Sequence, residues 1–157
     1  KLRSHYEAWW GDVSQSFDQY CPIVIGAPGQ GTTVLNSHDW HGEKPTWNQS
    51  HILKGEPGNG FWAIEVAEAG EYHFDLRRWP VEASAPIRGA LEGGTALAIS
   101  EASISIGDQA SSAPVGETDH AVRFTMMLEM GETKLGTEFL CEDGKDRGAY
   151  YVIVARA

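Results

Sequence analysis

"EYHFDLRRWP", residues 71–80, is the stretch on which the fold turns. Tyr72, Phe74 and Leu76 alternate with His73, Asp75 and Arg77, the period of a strand with one apolar and one polar face. The run then closes on two arginines, a tryptophan and a proline. Continued alternation sends Arg78 to the apolar side and keeps Arg77 and Trp79 together on the other. A charge is rarely buried alone, so Arg78 is expected in a buried ion pair, with Glu82 as its partner. For Arg77 and Trp79 two readings stay open. They form an exposed cation–π pair with no ligand, or a planar cation beside a planar apolar ring that holds something flat, polar and anionic.

Working outward, short apolar or alternating runs recur at about ten-residue spacing between turns. They cover 22–25, 32–35, 61–66, 72–79, 95–99, 102–106, 121–130, 134–140 and 150–155. The stretch 109–118, containing serine, alanine and proline, reads as an exposed loop. This is the pattern of an all-β chain folded as a sandwich or jelly roll. A helix precedes it, because Tyr6, Trp9, Trp10, Val13 and Phe17 share one helical face and Ser4 with Glu7 has the form of a capping box. The expected organisation is an N-terminal linker helix over 1–20 and a β-sandwich over 21–157. The aromatic helix face must pack on this domain or on a neighbour.

With 157 residues, one domain is expected. The formal charge of −10 repels nucleic acid and anionic lipid, so any anionic ligand needs a local cationic cluster. No apolar run approaches a membrane span. The opening Lys1, Leu2 and Arg3 read as a domain cut from a longer protein. Cys21 and Cys141 form a long-range disulfide, as suits an exported protein, or remain two free thiols.

A second candidate segment is "SHDWHGEKPTWNQSH", residues 37–51. Trp40 and Trp47 can stack on sugar rings, while His41, Lys44, Asn48 and Gln49 can hold hydroxyl or anionic groups. Equally, both tryptophans can pack beneath a long loop. If the segment lies beside the end of the Arg77 strand, the two clusters form one site. His38, His41 and His51 carry a weak zinc signal, with no cysteine near in sequence. A structural Ca²⁺ fits better, but the 22 acidic residues do not single out its ligands. Ser37–His38 and Ser50–His51 are neighbours only along the chain and make no catalytic triad.

Three stretches carry a family resemblance: "LNSHDW" at 35–40, "WNQSHILKGEPGNGFWAIEVAEAGEY" at 47–72 and "LRRWPVEASAPI" at 76–87. With them the chain resembles the C-terminal accessory region of bacterial formylglycine-dependent arylsulfatases of the marine planctomycete type. The later strands are similar to many galactose-binding-like jelly rolls and carbohydrate-binding modules. The resemblance implies a β-sandwich attached to an exported, periplasmic or secreted enzyme that acts on sulfated polysaccharide. Neither cysteine lies in the C/S-x-P-S-R motif of a sulfatase nucleophile, so the chain itself is expected to be non-catalytic. The expected role is binding of a sulfated or uronate-rich polysaccharide, such as chondroitin sulfate or an algal galactan, by a monomer. The rival is a structural domain that packs on the sulfatase and shapes its cleft.

Overall fold

The computed structural model describes residues 1–17 and 19–157, with every side chain among them except that of Lys44. Helix α1 (Leu2–Val13) is followed by strands β1 (Ile23–Ile25), β2 (Thr32–Asn36) and β3 (His41–Lys44), then by helix α2 (Gln49–Lys54). Seven strands complete the chain: β4 (Asn59–Val66), β5 (Gly70–Arg77), β6 (Ile99–Ile106), β7 (Gln109–Pro114), β8 (Val122–Leu128), β9 (Gly131–Cys141) and β10 (Tyr151–Arg156).

The strands form two sheets, and most connections carry the chain from one to the other. The four-stranded sheet runs β2–β10–β5–β8. The six-stranded sheet runs β4–β9–β6–β7, with β1 and β3 sharing the free edge of β4. β3 lies antiparallel along its first half and β1 parallel along its second. The chain is therefore a two-sheet β-sandwich with an N-terminal helix.

Alternation explains how the sheets close on each other. Tyr72, Phe74 and Leu76 of β5 face inward, as do Val122, Phe124 and Met126 of β8. They meet Trp62, Ile64 and Val66 of β4 and Leu135 and Phe139 of β9. Each such side chain contributes about 1.5–3 kcal/mol by leaving water, and a one-residue slip would turn the whole set outward.

Several elements differ from the sequence reading. Residues 95–98 are not a strand, and β6 begins only at Ile99. The expected loop at 109–118 contains edge strand β7, paired to β6 through a two-residue turn. Gly107 sits first in that turn with φ +56°, as a II′ hairpin requires. β7 has no apolar alternation because none of its side chains is buried. Helix α2 was also unread, being too short to show a period. Its ends are nonetheless specified. The Asn48 side chain accepts the Ser50 N–H, and Gly55 closes the helix at φ +67°, the left-handed cap that favours glycine.

In α1, Ser4 lies inside the helix, Lys1 is the N-cap, and no side chain caps it. The expected capping box is therefore not formed. The aromatic face is not buried by this domain. Tyr6, Trp9, Trp10 and Phe17 remain 43–61% exposed and pack on one another at 5.4–6.2 Å. Cys21 is exposed and Cys141 buried, and both are free thiols, so no disulfide joins them.

Candidate functional site

Arg77, the last residue of β5, points to the outer face of the four-stranded sheet. Its Nε donates to the Trp79 carbonyl at 3.2 Å. Among the described residues it makes no ion pair. Asp75, two residues back on the same face, is held by Arg123 through two bonds of 2.6 and 2.7 Å. Arg77 thus stands as a half-buried cation with unclaimed donors.

Trp79 does not join it. The strand ends at Arg77, so period-two alternation no longer governs, and the large ring turns into the core at 3% exposure. Its Nε1 donates to the Pro86 carbonyl at 3.2 Å. The cation over its face belongs to Arg78, 4.3 Å from the ring centroid.

Arg78 is buried at 0% exposure, but not in an ion pair. Glu82 is exposed, and among the described residues no ion pair joins it to Arg78. Carbonyls take the place of the carboxylate. Nη1 donates to Gly89 at 2.9 Å, and Nη2 donates to Thr95 at 2.6 Å and Ile52 at 3.3 Å. Burial pulls its pKa down to about 10, opposed by Tyr150 and reinforced by the Arg147 charge. It remains a cation at neutral pH, pinning the 86–97 segment to α2 and β5.

The 37–51 segment divides between the two sheets. Trp40 is 6% exposed and packs on Trp62 at 5.5 Å and Tyr150 at 5.7 Å. It is core, not a stacking platform. His41 lies in β3, on the six-stranded sheet, away from Arg77. Lys44 pairs with Asn59 along the same strand, and its side chain lies outside the described structure. Trp47, by contrast, is 54% exposed, with its ring edge-to-face with His38 at 5.7 Å. Asn48 caps α2 through its carbonyl oxygen, leaving its amide nitrogen unused. Gln49 donates from Nε2 to the Tyr151 hydroxyl at 2.6 Å.

Tyr151 joins the two clusters. In β10 it lies directly opposite Asn36 on one side and Arg77 on the other, and opposed side chains on one face sit within reach of each other. A row of Asn36, Tyr151 and Arg77 thus crosses the outer face. Trp47, His38 and Gln49 stand over its β2 end. The cleft they bound measures about 470 Å³ and is lined by Asn36, His38, Asp39, Trp47, Gln49 and Tyr151. The His38 backbone N–H donates to Asn36 Oδ1 at 2.9 Å, which leaves the Asn36 amide nitrogen as a donor. The cleft therefore offers one exposed indole, amide, phenol and imidazole groups and the Asp39 carboxylate, and Arg77 stands outside it, opposite Tyr151 in the same row. Tyr151 and Asn36 were not singled out in sequence, although alternation over "AYYVIV" turns Tyr150 inward and Tyr151 outward.

Among the described residues no three histidine, cysteine, aspartate or glutamate side chains gather as a metal ion would require. The calcium expected from sequence is accordingly assigned no ligands.

No protein-family model and no curated protein matches this chain. Solved structures do match it in outline. A ruminal GH26 endo-β-1,4-mannanase aligns over 80% of the chain at 18% identity and TM-score 0.46. The C-terminal CBM6 of a laminarinase from Zobellia galactanivorans aligns over 80% at 11% identity and TM-score 0.46. A family 35 carbohydrate-binding module from Clostridium thermocellum aligns over 88% at 14% identity and TM-score 0.40. The chain spans 26% of the mannanase, 99% of the laminarinase module and all of the family 35 module. The likeness is one of β-sandwich architecture.

Proposed function

We propose that the chain is a non-catalytic carbohydrate-binding module whose cleft takes an anionic sugar. One observation carries the reading: Tyr151 bonds to Gln49, shares a cleft with the exposed Trp47 and lies opposite Arg77, which among the described residues makes no ion pair. An indole face packs on the C–H face of a pyranose, and fixed amide and phenol groups select hydroxyl stereochemistry. A guanidinium grips a sulfate or carboxylate with two parallel bonds. In a chain of net charge −10, such a cation gives selectivity locally rather than through a long-range field. On the sulfatase resemblance, the ligand is a sulfated polysaccharide such as chondroitin sulfate or an algal galactan. The module, a monomer exported with its enzyme, holds that enzyme on its substrate.

Affinity electrophoresis in gels containing each sulfated polysaccharide and its desulfated form tests this. Retardation by a sulfated chain is expected to fall about tenfold on desulfation, and equally in Arg77→Ala. Equal retardation of the parent protein and Arg77→Ala by the sulfated chain overturns the anion contact.

A second reading has its own observation. The α1 face of Tyr6, Trp9, Trp10 and Phe17 is exposed, and a contiguous aromatic face suits a protein partner. On this reading the domain packs on its catalytic neighbour. Tight binding to the separated catalytic domain, lost in Trp9→Ala/Trp10→Ala, would support it.

A further inference from the structure

His41 was drawn into the first site by sequence but belongs to the other sheet, where it stands in a separate cluster. It lies opposite Phe61 across β3 and β4, with the rings 5.6 Å apart. Tyr20 closes over both, 4.5 Å from His41 and 5.4 Å from Phe61. Lys134 of β9 places its ammonium 4.6 Å from the Phe61 centroid and 5.4 Å from that of Tyr20. Beside them opens a cleft of about 440 Å³ bounded by Gln19, Tyr20, Ala63, Glu132 and Lys134. Tyr20 remains 49% exposed, so a ring flank is left available after its packing contacts.

We infer that this cleft is a second carbohydrate site, and that it takes a neutral sugar. A half-exposed tyrosine flank beside donors and acceptors of both kinds is suited to a pyranose ring with its hydroxyls. Charge decides the class. Lys134 is opposite Ala63, and the next outward pair along the same two strands is Glu65 with Glu132. Of these, Lys134 and Glu132 bound the cleft with one charge of each sign, and the ammonium is engaged by two aromatic faces. Among the described residues a sulfate or uronate finds no free cation there. The Lys134 and Gln19 donors and the Glu132 acceptor meet hydroxyl groups instead. The two clefts lie on outer faces of opposite sheets, so the module can hold two different chains, or two segments of one heterogeneous matrix. This inference goes beyond the anionic reading and does not depend on it.

Native gels containing β-mannan, laminarin, xylan or hydroxyethylcellulose, all neutral, test the inference. At least one is expected to retard the protein equally at low and high salt. Tyr20→Ala and Lys134→Ala, each checked for an unchanged melting temperature, are each expected to weaken the affinity about fivefold. Retardation by none of these polymers overturns the second site. So does retardation that survives both Tyr20→Ala and Lys134→Ala, or that disappears with Trp47→Ala. Failure of Arg77→Ala to affect sulfated chains would instead strike the first cleft alone.

Discussion

Arg77 and Arg78 are neighbours in sequence and sit on opposite faces of the four-stranded sheet. Among the described residues Arg77 gives one hydrogen bond, to the Trp79 carbonyl. Arg78 gives three, all to carbonyls, and lies under a tryptophan ring at 0% exposure. The same chemical group keeps unclaimed donors at the surface in one place and braces the fold in the other. What separates them is the end of β5: Arg77 is its last residue and points outward, and Arg78, the first residue beyond it, turns into the core. The pair of tryptophans in the 37–51 segment repeats the contrast: Trp40 is core and Trp47 is surface. A cation or an indole identified in sequence is thus a candidate for either role, and the backbone chooses.

Deleting the bracing guanidinium should have the largest effect. Arg78→Ala leaves three carbonyls without their donor and a void beneath Trp79. We expect it to cost about 3–5 kcal/mol in urea unfolding. A loss below about 1 kcal/mol would mean that water or a rearranged segment replaces the guanidinium easily. Trp40→Ala should cost a similar amount, about 3–5 kcal/mol. Trp47→Ala should change stability by under about 1 kcal/mol while weakening the affinity for both sulfated and desulfated chains about fivefold. Equal destabilisation by the two tryptophan variants would erase the distinction between core and surface.

A smaller effect sharpens the bracing half. Arg147 is 3% exposed and holds Asp143 through two bonds of 2.8 and 2.9 Å. Those bonds, with the Lys145 backbone N–H, draw the Asp143 carboxyl down to about 2 from the ordinary 3.8. A carboxyl lowered on folding stabilises fully above its unfolded value, and the contribution disappears as the pH falls toward the folded one. Thermal melts should therefore show a decline between about pH 4 and about pH 2 that is shallower in Asp143→Asn. An identical decline in the variant would assign the acid sensitivity to other carboxylates.

Much of the frame was legible because long strands with one buried face advertise themselves. β5 and β8 alternate without exception, and the inward set of β5 is the set its pattern predicted. Short or edge elements are silent for physical reasons. β7 buries no side chain, so its pairing with β6 leaves no apolar trace, and α2 is held by its caps and by Ile52 rather than by periodicity. The candidate site was half legible. Arg77, Trp47 and Gln49 announce a polar, aromatic surface by residue type. That they come together depends on Tyr151, far along the chain, through a strand pairing that no local pattern encodes. Trp79 was misplaced because alternation was carried beyond the end of the strand.

The most direct test of the central claim is an amide and side-chain NMR titration with a sulfated chondroitin oligosaccharide. The Trp47 indole, the Gln49 side-chain amide, the Tyr151 amide and the Arg77 Nε–H are expected to shift together, with one affinity. The Trp40 and Trp79 indoles and the Arg78 guanidinium should stay in place. Shifts confined to other surfaces, or none at saturating oligosaccharide, would contradict the assignment of this row as an anionic-sugar site.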